Sequence, residues 1–473
     1  MTILGRWRSW TREQWDRPGI GAHRLVLLFI ALFALRFANW TWLSDRIPGH
    51  LAFIANWVIQ AVAFAVFLVL VAVSCRAELP DWVQRWRPGR LVALAPAVLA
   101  VLLVLVSVSV AGALLRNRLL IDDANAMAVC GARAISIGHD PYRVAELSCL
   151  RRLDLSPTLA TPLRVGSLAK VQGYPTPAQI VAAIQSADAK GGTNSIFSGL
   201  AKPPLDPATM IPVARAPAVA RALWTLLAVA VFLSLLALAA GSLWPAALAV
   251  FLATYYIPGS ALNFASFGNA ESIAYLLMAL SLLWVRRPII SGVCLGLALG
   301  SNELALFFVP AYVLICYRLT GRGPRLTSAV LTLIIGVVPW LIRYPDAVST
   351  IWHNLSAPTF PLGYGPIELI LAGILKPPPS DLMLGLSALA MALILVWGWR
   401  RPEWRIAAGV LLLAAFWLSW RSLDEYMAQI PLLGLAAVLA LLTTGAETEA
   451  KPVGASWRQG IPAGSPPGAG LGD

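Results

Sequence analysis

The chain has 473 residues, 58% hydrophobic and 12% charged, where an ordinary soluble domain carries about 25% charged residues. With a mean hydropathy of +0.73, and apolar blocks near the ~20 residues of a bilayer-crossing helix, it has too little polar surface to wrap a soluble core. A soluble enzyme, a secreted disulfide scaffold and a disordered chain are excluded, and the 36 basic against 23 acidic residues read as a topology signal rather than a nucleic-acid signal.

Residues 1–24 form a basic N-terminus carrying Arg6, Arg8, Arg12, Arg17 and Arg24. Three apolar spans follow within 25–114, at 25–43, 51–74 and 91–114. No small-residue cleavage site follows the first, so it reads as a retained anchor rather than a signal peptide. Residues 115–217 are the one large non-membrane segment. Inside it, Ile180, Val181 and Ile184 recur at helical spacing, as in a helix lying on a membrane surface. Nine more spans fill 218–443, at 218–240, 245–257, 270–285, 288–300, 304–317, 326–342, 381–399, 405–420 and 429–443. Residues 444–473 are rich in Gly, Pro, Ala and Ser, the composition of a disordered tail.

The expected fold is therefore an all-α integral membrane protein of about twelve transmembrane helices. Placing the N-terminus inside puts Arg76, Arg85, Arg87, Arg90, Arg286, Arg287, Arg318, Arg322, Arg325, Arg400, Arg401 and Arg405 inside as well. Short outer loops then keep only Arg46, Arg343, Lys376 and Arg421. That asymmetry predicts an N-in, C-in chain with 115–217 outside. Arginine far outnumbers lysine, as in chains from GC-rich bacterial genomes, so the membrane is read as a bacterial plasma membrane. Because Arg286, Arg287 and Arg318 share one side, 288–317 must cross an even number of times. It is expected as a short hairpin with Ser301, Asn302 and Glu303 at its outer tip, facing a cavity. Tryptophans at span ends, including Trp340, read as an interfacial belt without chemistry.

The residues that could carry chemistry fall on the outer side. Asp122 and Asp123 stand at the start of the large loop, either as a hydrated helix end or as a general base at the membrane boundary. Glu271 and Glu303 open helices within apolar stretches, where an ionisable group is costly and marks a site or simply complements a helix dipole. His353 lies in a Pro-, Gly- and aromatic-rich stretch expected as a loop, as a phosphate or acceptor contact. Cys130 and Cys149 share the oxidising side, and spacing alone does not establish a bridge. No zinc motif, P-loop or dinucleotide fingerprint is present, and no cofactor or metal is required.

Several short motifs follow one another in order: Asp122-Asp123, then Gly138-His139-Asp140-Pro141-Tyr142, Lys202-Pro203-Pro204-Leu205, Phe267-Gly268-Asn269-Ala270-Glu271, and Gly296-Leu297-Ala298-Leu299-Gly300-Ser301-Asn302-Glu303. In this order, over residues 115–320, the chain resembles the polytopic GT-C glycosyltransferases, most nearly glycosyltransferase family 87. The resemblance implies an inverting transfer of a sugar, often mannose, from a polyprenyl-phosphate donor to a lipid-linked or envelope glycan on the outer face. It makes Asp123 or Asp122 the general base and places Tyr142, Lys202, Asn269, Glu271, Asn302 and Glu303 about the substrates. Asn302-Glu303 stands where such families often carry a basic residue, so Arg343, Lys202 or Arg421 is left to hold the leaving phosphate. Two other readings suit the chain: a secondary transporter of about twelve helices, and a non-catalytic scaffold for envelope assembly. The expected partners are the lipid-linked donor, the acceptor and membrane lipids, with no nucleic acid.

Overall fold

The computed structural model describes residues 19–38, 50–86, 88–115, 123–142, 147–153, 171–188, 203–209, 217–256, 271–356, 365–376, 378–419 and 424–449, with shorter pieces at 156–157, 160, 163, 168, 211, 362–363 and 421–422. In chain order, α1 (Ile20–Ala38) and α2 (His50–Cys75) are followed by two single turns, α3 (Asp81–Arg85) and α4 (Gly89–Ala93), and by α5 (Ala95–Leu115). The large intervening segment contributes α6 (Asp123–Ser136), α7 (Leu147–Arg152), α8 (Pro177–Asp188) and α9 (Leu205–Thr209). Then come α10 (Pro217–Ala240), α11 (Trp244–Tyr256), α12 (Glu271–Leu283), α13 (Pro288–Ser301) and α14 (Leu304–Leu319). The remainder is α15 (Arg322–Gly336), α16 (Val338–Arg343), α17 (Asp346–Ser356), α18 (Pro366–Leu371), α19 (Ser380–Arg400), α20 (Arg405–Leu411) and α21 (Asp424–Glu449). Among the described residues the one extended pairing is parallel and two residues long, Leu362–Gly363 beside Arg421–Ser422.

The protein is thus helical, and five segments are long and apolar enough to cross a membrane: Ile20–Ala38, Leu51–Cys75, Leu227–Thr254, Arg322–Arg343 and Leu382–Arg400. The third of these is not one rod. Gly241 adopts φ +53°, and the Phe232 and Phe251 rings approach to 5.0 Å; a straight helix would hold them about 28 Å apart. The chain therefore reverses at Gly241, and α10 and α11 are antiparallel neighbours. The fourth segment breaks at Val337, where Pro339 cannot donate to the preceding turn.

Over the described residues each apolar span expected from the sequence is mainly helical, with two shifts at the termini and the break at Val337. The first helix begins at Ile20, and residues 39–49 lie outside the described ones. The last helix runs to Glu449, past the expected start of the tail, because Ala446, Glu447 and Glu449 are good helix formers. Residues 450–473 lie outside the described ones.

The most buried helix is α21, with Leu433, Leu435, Ala436, Ala437, Val438 and Leu439 fully inaccessible. It is apolar all round because α1, α2, α11, α12 and α20 surround it. At the periphery, α5, α15 and α19 turn large apolar side chains outward, among them Val104 at 62%, Leu326 at 68% and Leu393 at 60% exposure. Contiguous apolar surface of that extent needs an apolar medium or partner against it.

The expected hairpin over 288–317 is splayed. Helix α13 packs on α12 and α15 rather than along α14, which lies mainly on α20. The reason is a row of glycines. A Cβ on Gly292 would meet the Ser328 carbonyl oxygen at 2.7 Å, and one on Gly336 would meet the Gly296 carbonyl oxygen at 2.6 Å. Small residues at this spacing let two backbones approach closely. Buried hydroxyls tie the same helices together: Ser291 donates to the Ser281 carbonyl at 2.6 Å, and the Tyr312 hydroxyl bridges Ser291 and Ser328.

Contacts between helix ends sort into two groups. At one end the Arg24 guanidinium donates to the carbonyls of Ser74 (2.6 Å), Arg76 (2.6 Å) and Ala77 (2.9 Å). There too Ala77 N–H donates to Glu403 O, Arg76 lies over the Trp404 ring, and Arg325 and Arg405 lie over Tyr317. At the other end the Trp57 indole donates to Gly365 O, Trp417 covers Gly365, and Tyr142 meets Tyr344.

Candidate functional site

The large segment builds its own small core before it reaches the bundle. Cys130 on α6 and Cys149 on α7 form a disulfide with Cα atoms 5.8 Å apart, which answers the pairing left open by spacing. Leu150, Leu163, Leu168 and Ala183 pack around it. Helix α8 is therefore not simply a surface helix: Ile180 and Ala183 turn into this cluster while Val181 is 51% exposed. Its apolar face is used within the segment, because the disulfide brings a matching apolar patch beside it.

Helix α6 ends in a glycine-dependent cap. Gly138 has φ +79°, Gly138 N–H donates to Ile135 O, and His139 N–H donates to Ala134 O. That pair of bonds satisfies the last carbonyls and turns the chain sharply. Asp140 then accepts from the Tyr142 N–H at 2.9 Å, a local carboxylate turn. The result aims Tyr142 inward, at 4% exposure, into a cluster with Tyr344, Ala347, Ile135, Trp340 and Ile351.

The Pro203-Pro204 pair starts α9, which packs on both α6 and α13. Its Leu205 side chain lies against Gly300, where a Cβ would come within 3.3 Å of Leu205 Cβ and 2.9 Å of Trp340 Nε1. Asp206, on the same turn, is 3% exposed. Three motifs far apart in sequence thus meet at one corner: the end of α6 with Tyr142, the Pro-Pro-Leu turn, and the end of α13.

The end of α13 supplies the polar groups. Asn302, 1% exposed, leaves the helix with extended backbone, and its side-chain oxygen accepts from Leu304 N–H at 2.8 Å. Its Nδ2 donor has no hydrogen-bond acceptor among the described residues, and neither does the buried Trp340 Nε1. Glu303 is half-buried at the N-cap position of α14. Arg343, one turn after Trp340, is exposed, with its guanidinium 5.3 Å from the Tyr344 ring centre. Two buried N–H donors stand with the carboxylates of Asp206 and Glu303 at this corner, which suits a ligand that both accepts and donates hydrogen bonds, since an unmatched buried polar group is costly.

The other expected site residues divide as follows. Asp123 is the first residue of α6 and Glu271 the first of α12; nothing further is described of their side chains. Asp122, Lys202 and Asn269 lie outside the described residues. His353 is not in a loop: it belongs to α17, which Asp346 opens and whose Val348, Ile351, Trp352 and Leu355 recur at helical spacing. Trp340 is not merely part of a belt, because its indole nitrogen abuts Gly300 at the corner. Among the described residues no group of three His, Cys, Asp or Glu side chains is arranged to hold a metal ion.

Glu368 is a buried acid that the sequence alone does not single out. Its short helix, α18, is lodged between α2 and the 3-10 helix Leu412–Leu418 that continues α20, leaving Glu368 7% exposed. Burial pushes its carboxyl up to about 7, partly offset by a hydrogen bond from the Gln60 side chain. Asn56 and Gln60 of α2 are themselves buried. The signal was present as an acid within the apolar run Pro366-Ile367-Glu368-Leu369-Ile370, but nothing in that run shows what faces it.

No protein-family model, curated protein or solved structure matches the chain.

Proposed function

We propose that the chain is a polytopic membrane glycosyltransferase of the GT-C type, crossing the bilayer about twelve times with both termini inside. In this reading it transfers a sugar, in the first instance mannose, from a polyprenyl-phosphate donor to a lipid-linked or envelope glycan on the outer face of a bacterial plasma membrane. The carrying observation is the corner where Tyr142, Leu205, Gly300 and Trp340 meet, beside two buried N–H donors with no acceptor among the described residues. The sidedness of contacts agrees with the topology: segments read as inner touch one another at the arginine-rich end, and segments read as outer touch at the other.

The chemistry follows from the chain's own groups. An acceptor hydroxyl attacks the anomeric carbon while the bond from that carbon to the donor phosphate oxygen breaks, inverting the centre. The hydroxyl proton passes to the carboxylate of Asp123 or Asp122 at the entrance to α6. The departing phosphate keeps the bonding electron pair, and Arg343, with Lys202 as the other candidate, neutralises it. Asn302 and Trp340 supply donors to sugar or phosphate oxygens, and the glycine row on α13 fixes where those donors stand.

The test uses membranes containing the protein, polyprenyl-phosphate carrying radiolabelled mannose, and the Asp122→Asn/Asp123→Asn double variant. Label entering a new lipid with wild type alone supports the proposal. Equal labelling by the variant removes the assigned base. A second reading, a proton-coupled secondary transporter, is favoured by one observation, the buried Glu368 carboxyl hydrogen-bonded to Gln60. Solute uptake into liposomes that depends on a proton gradient and disappears with Glu368→Gln would favour that reading instead.

A further inference from the structure

The corner where α9, α13 and α16 meet carries both kinds of hydrogen-bonding group. On the donor side, Asn302 is 1% exposed and its Nδ2 has no acceptor among the described residues; the same holds for the buried Trp340 Nε1. The Asn302 side-chain oxygen is already committed to Leu304 N–H, so the amide presents only its N–H donors. On the acceptor side stand two carboxylates. Asp206, 3% exposed, follows Leu205, whose side chain lies against Gly300, and Glu303 is half-buried directly after Asn302. Asp206 takes no part in the proton and phosphate steps, yet a carboxylate is costly to bury and calls for donors around it.

These groups discriminate between ligand classes. A phosphate only accepts, and the two carboxylates repel its charge. On the adjoining turns the described charges are Arg133 and Arg343 against Asp140 and Asp346, so the balance at the corner is set by Asp206 and Glu303. Arg343 is exposed with its guanidinium 5.3 Å from the Tyr344 ring centre, at the rim rather than among the buried groups. An ammonium only donates, and would leave the two N–H groups unmatched. A hydroxyl both donates and accepts, and neighbouring hydroxyls on one ring serve N–H donors and carboxylates together. Trp340 as a whole is half-buried, so part of its ring is open to pack against the C–H face of a pyranose.

We infer that this corner binds a neutral hexose ring through its hydroxyls and excludes the phosphate, with Asp206 as a binding residue. Asp206 accepts from one hydroxyl, while Asn302 Nδ2 and Trp340 Nε1 donate to the oxygen of that hydroxyl or its neighbour. The choice of a hexose among neutral polyols rests on the sugar-transfer reading, and the ring belongs either to the donor or to the acceptor glycan.

Full-length protein in lipid nanodiscs, free of glycoside detergent, is titrated with the methyl glycosides of mannose, glucose and galactose, and binding is followed by saturation-transfer NMR. At least one of the three is expected to bind, with no competition from inorganic phosphate. Asn302→Asp keeps the oxygen that accepts from Leu304 N–H and removes only the Nδ2 donor, Trp340→Phe removes the indole N–H, and Asp206→Asn keeps the shape while removing the charge. Each is expected to weaken binding about tenfold. A deoxy analogue lacking the contacted hydroxyl binds wild type about tenfold more weakly, and loses little further in Asn302→Asp or Asp206→Asn. Binding of none of the three glycosides, displacement by phosphate, or losses that simply multiply overturns the inference. The deoxy series and the phosphate competition on wild type decide it even if no variant folds. Polyprenyl-phosphate mannose that displaces the glycoside assigns the ring to the donor, and a glycoside that stays bound assigns it to the acceptor. Glycoside binding without label transfer supports the corner and counts against the enzyme, whereas label transfer without glycoside binding removes the corner alone.

Discussion

The two ends of the bundle employ their polar groups differently. At the arginine-rich end, cations are mostly taken up by the architecture: Arg24 closes off three carbonyls at the end of α2, and Arg76, Arg325 and Arg405 lie on aromatic rings, although the buried Nε atoms of Arg76 and Arg405 have no acceptor among the described residues. At the other end, buried donors are held in place without acceptors, and a buried acid is held by a single side-chain donor. Asn302 Nδ2 and Trp340 Nε1 find no acceptor among the described residues, and Glu368 is held where its charge is disfavoured. Groups that satisfy the fold stabilise it, whereas groups the fold leaves under strain or unmatched are those a ligand can engage.

The sharpest way to break this comparison is at the base. Asp122→Asn/Asp123→Asn is expected to lower sugar transfer by about 10²–10⁴-fold with no change in thermal unfolding. A parallel loss of folding would return both acids to structure. The next largest effect belongs to the opposite end. Arg24→Gln leaves buried carbonyls of α2 without their donor and is expected to cost about 1–3 kcal/mol of stability, read as a lower unfolding temperature, with transfer per folded molecule preserved.

Glu368 sharpens the comparison through pH. Its folded pKa of about 7 lies above the ordinary carboxyl value, so its contribution to stability is complete below the ordinary value and is lost as pH rises through 7. Wild type is thus expected to lose up to about 2–3 kcal/mol between pH 5 and pH 8, and Glu368→Gln to remove that loss. Melting curves of both proteins at the two pH values decide it; parallel curves would show that Glu368 is ordinarily ionised. The smallest effect is at the corner itself. Gly300→Ala forces Trp340 to move and is expected to reduce transfer about tenfold, about 1.4 kcal/mol in the barrier, with a change in stability below that. Unchanged transfer would detach Trp340 from the site.

Much of the candidate site was legible one motif at a time. Gly138-His139-Asp140-Pro141-Tyr142 announces a helix end and a carboxylate turn, because only glycine takes the left-handed backbone at low cost. Asn302 and Glu303 stand out as polar residues between apolar helices. What the motifs did not reveal is their meeting point. Trp340 looked like any tryptophan at a span end until α9 and α13 placed Leu205 and Gly300 against it. The prolines after His353 mask the helical spacing before it, so the sequence suggests a loop where α17 forms. No local feature marks Glu368, because its burial comes from α2, some three hundred residues away in sequence.

The sequence by itself determined that this chain is helical and apolar, where most of its long helices lie, and which connecting segments hold the arginines. Those features follow from local rules: hydrophobic run length, glycine and proline punctuation, and the cost of moving charge across an apolar layer. Only the tertiary structure decided that α10 and α11 fold back at Gly241, that α13 leaves α14 for α15, and that the Cys130–Cys149 bridge forms. It alone decided which buried donors lack acceptors. Those outcomes depend on how surfaces fit across the bundle, where a glycine row or a single ring contact selects one packing among many that the same apolar pattern would allow.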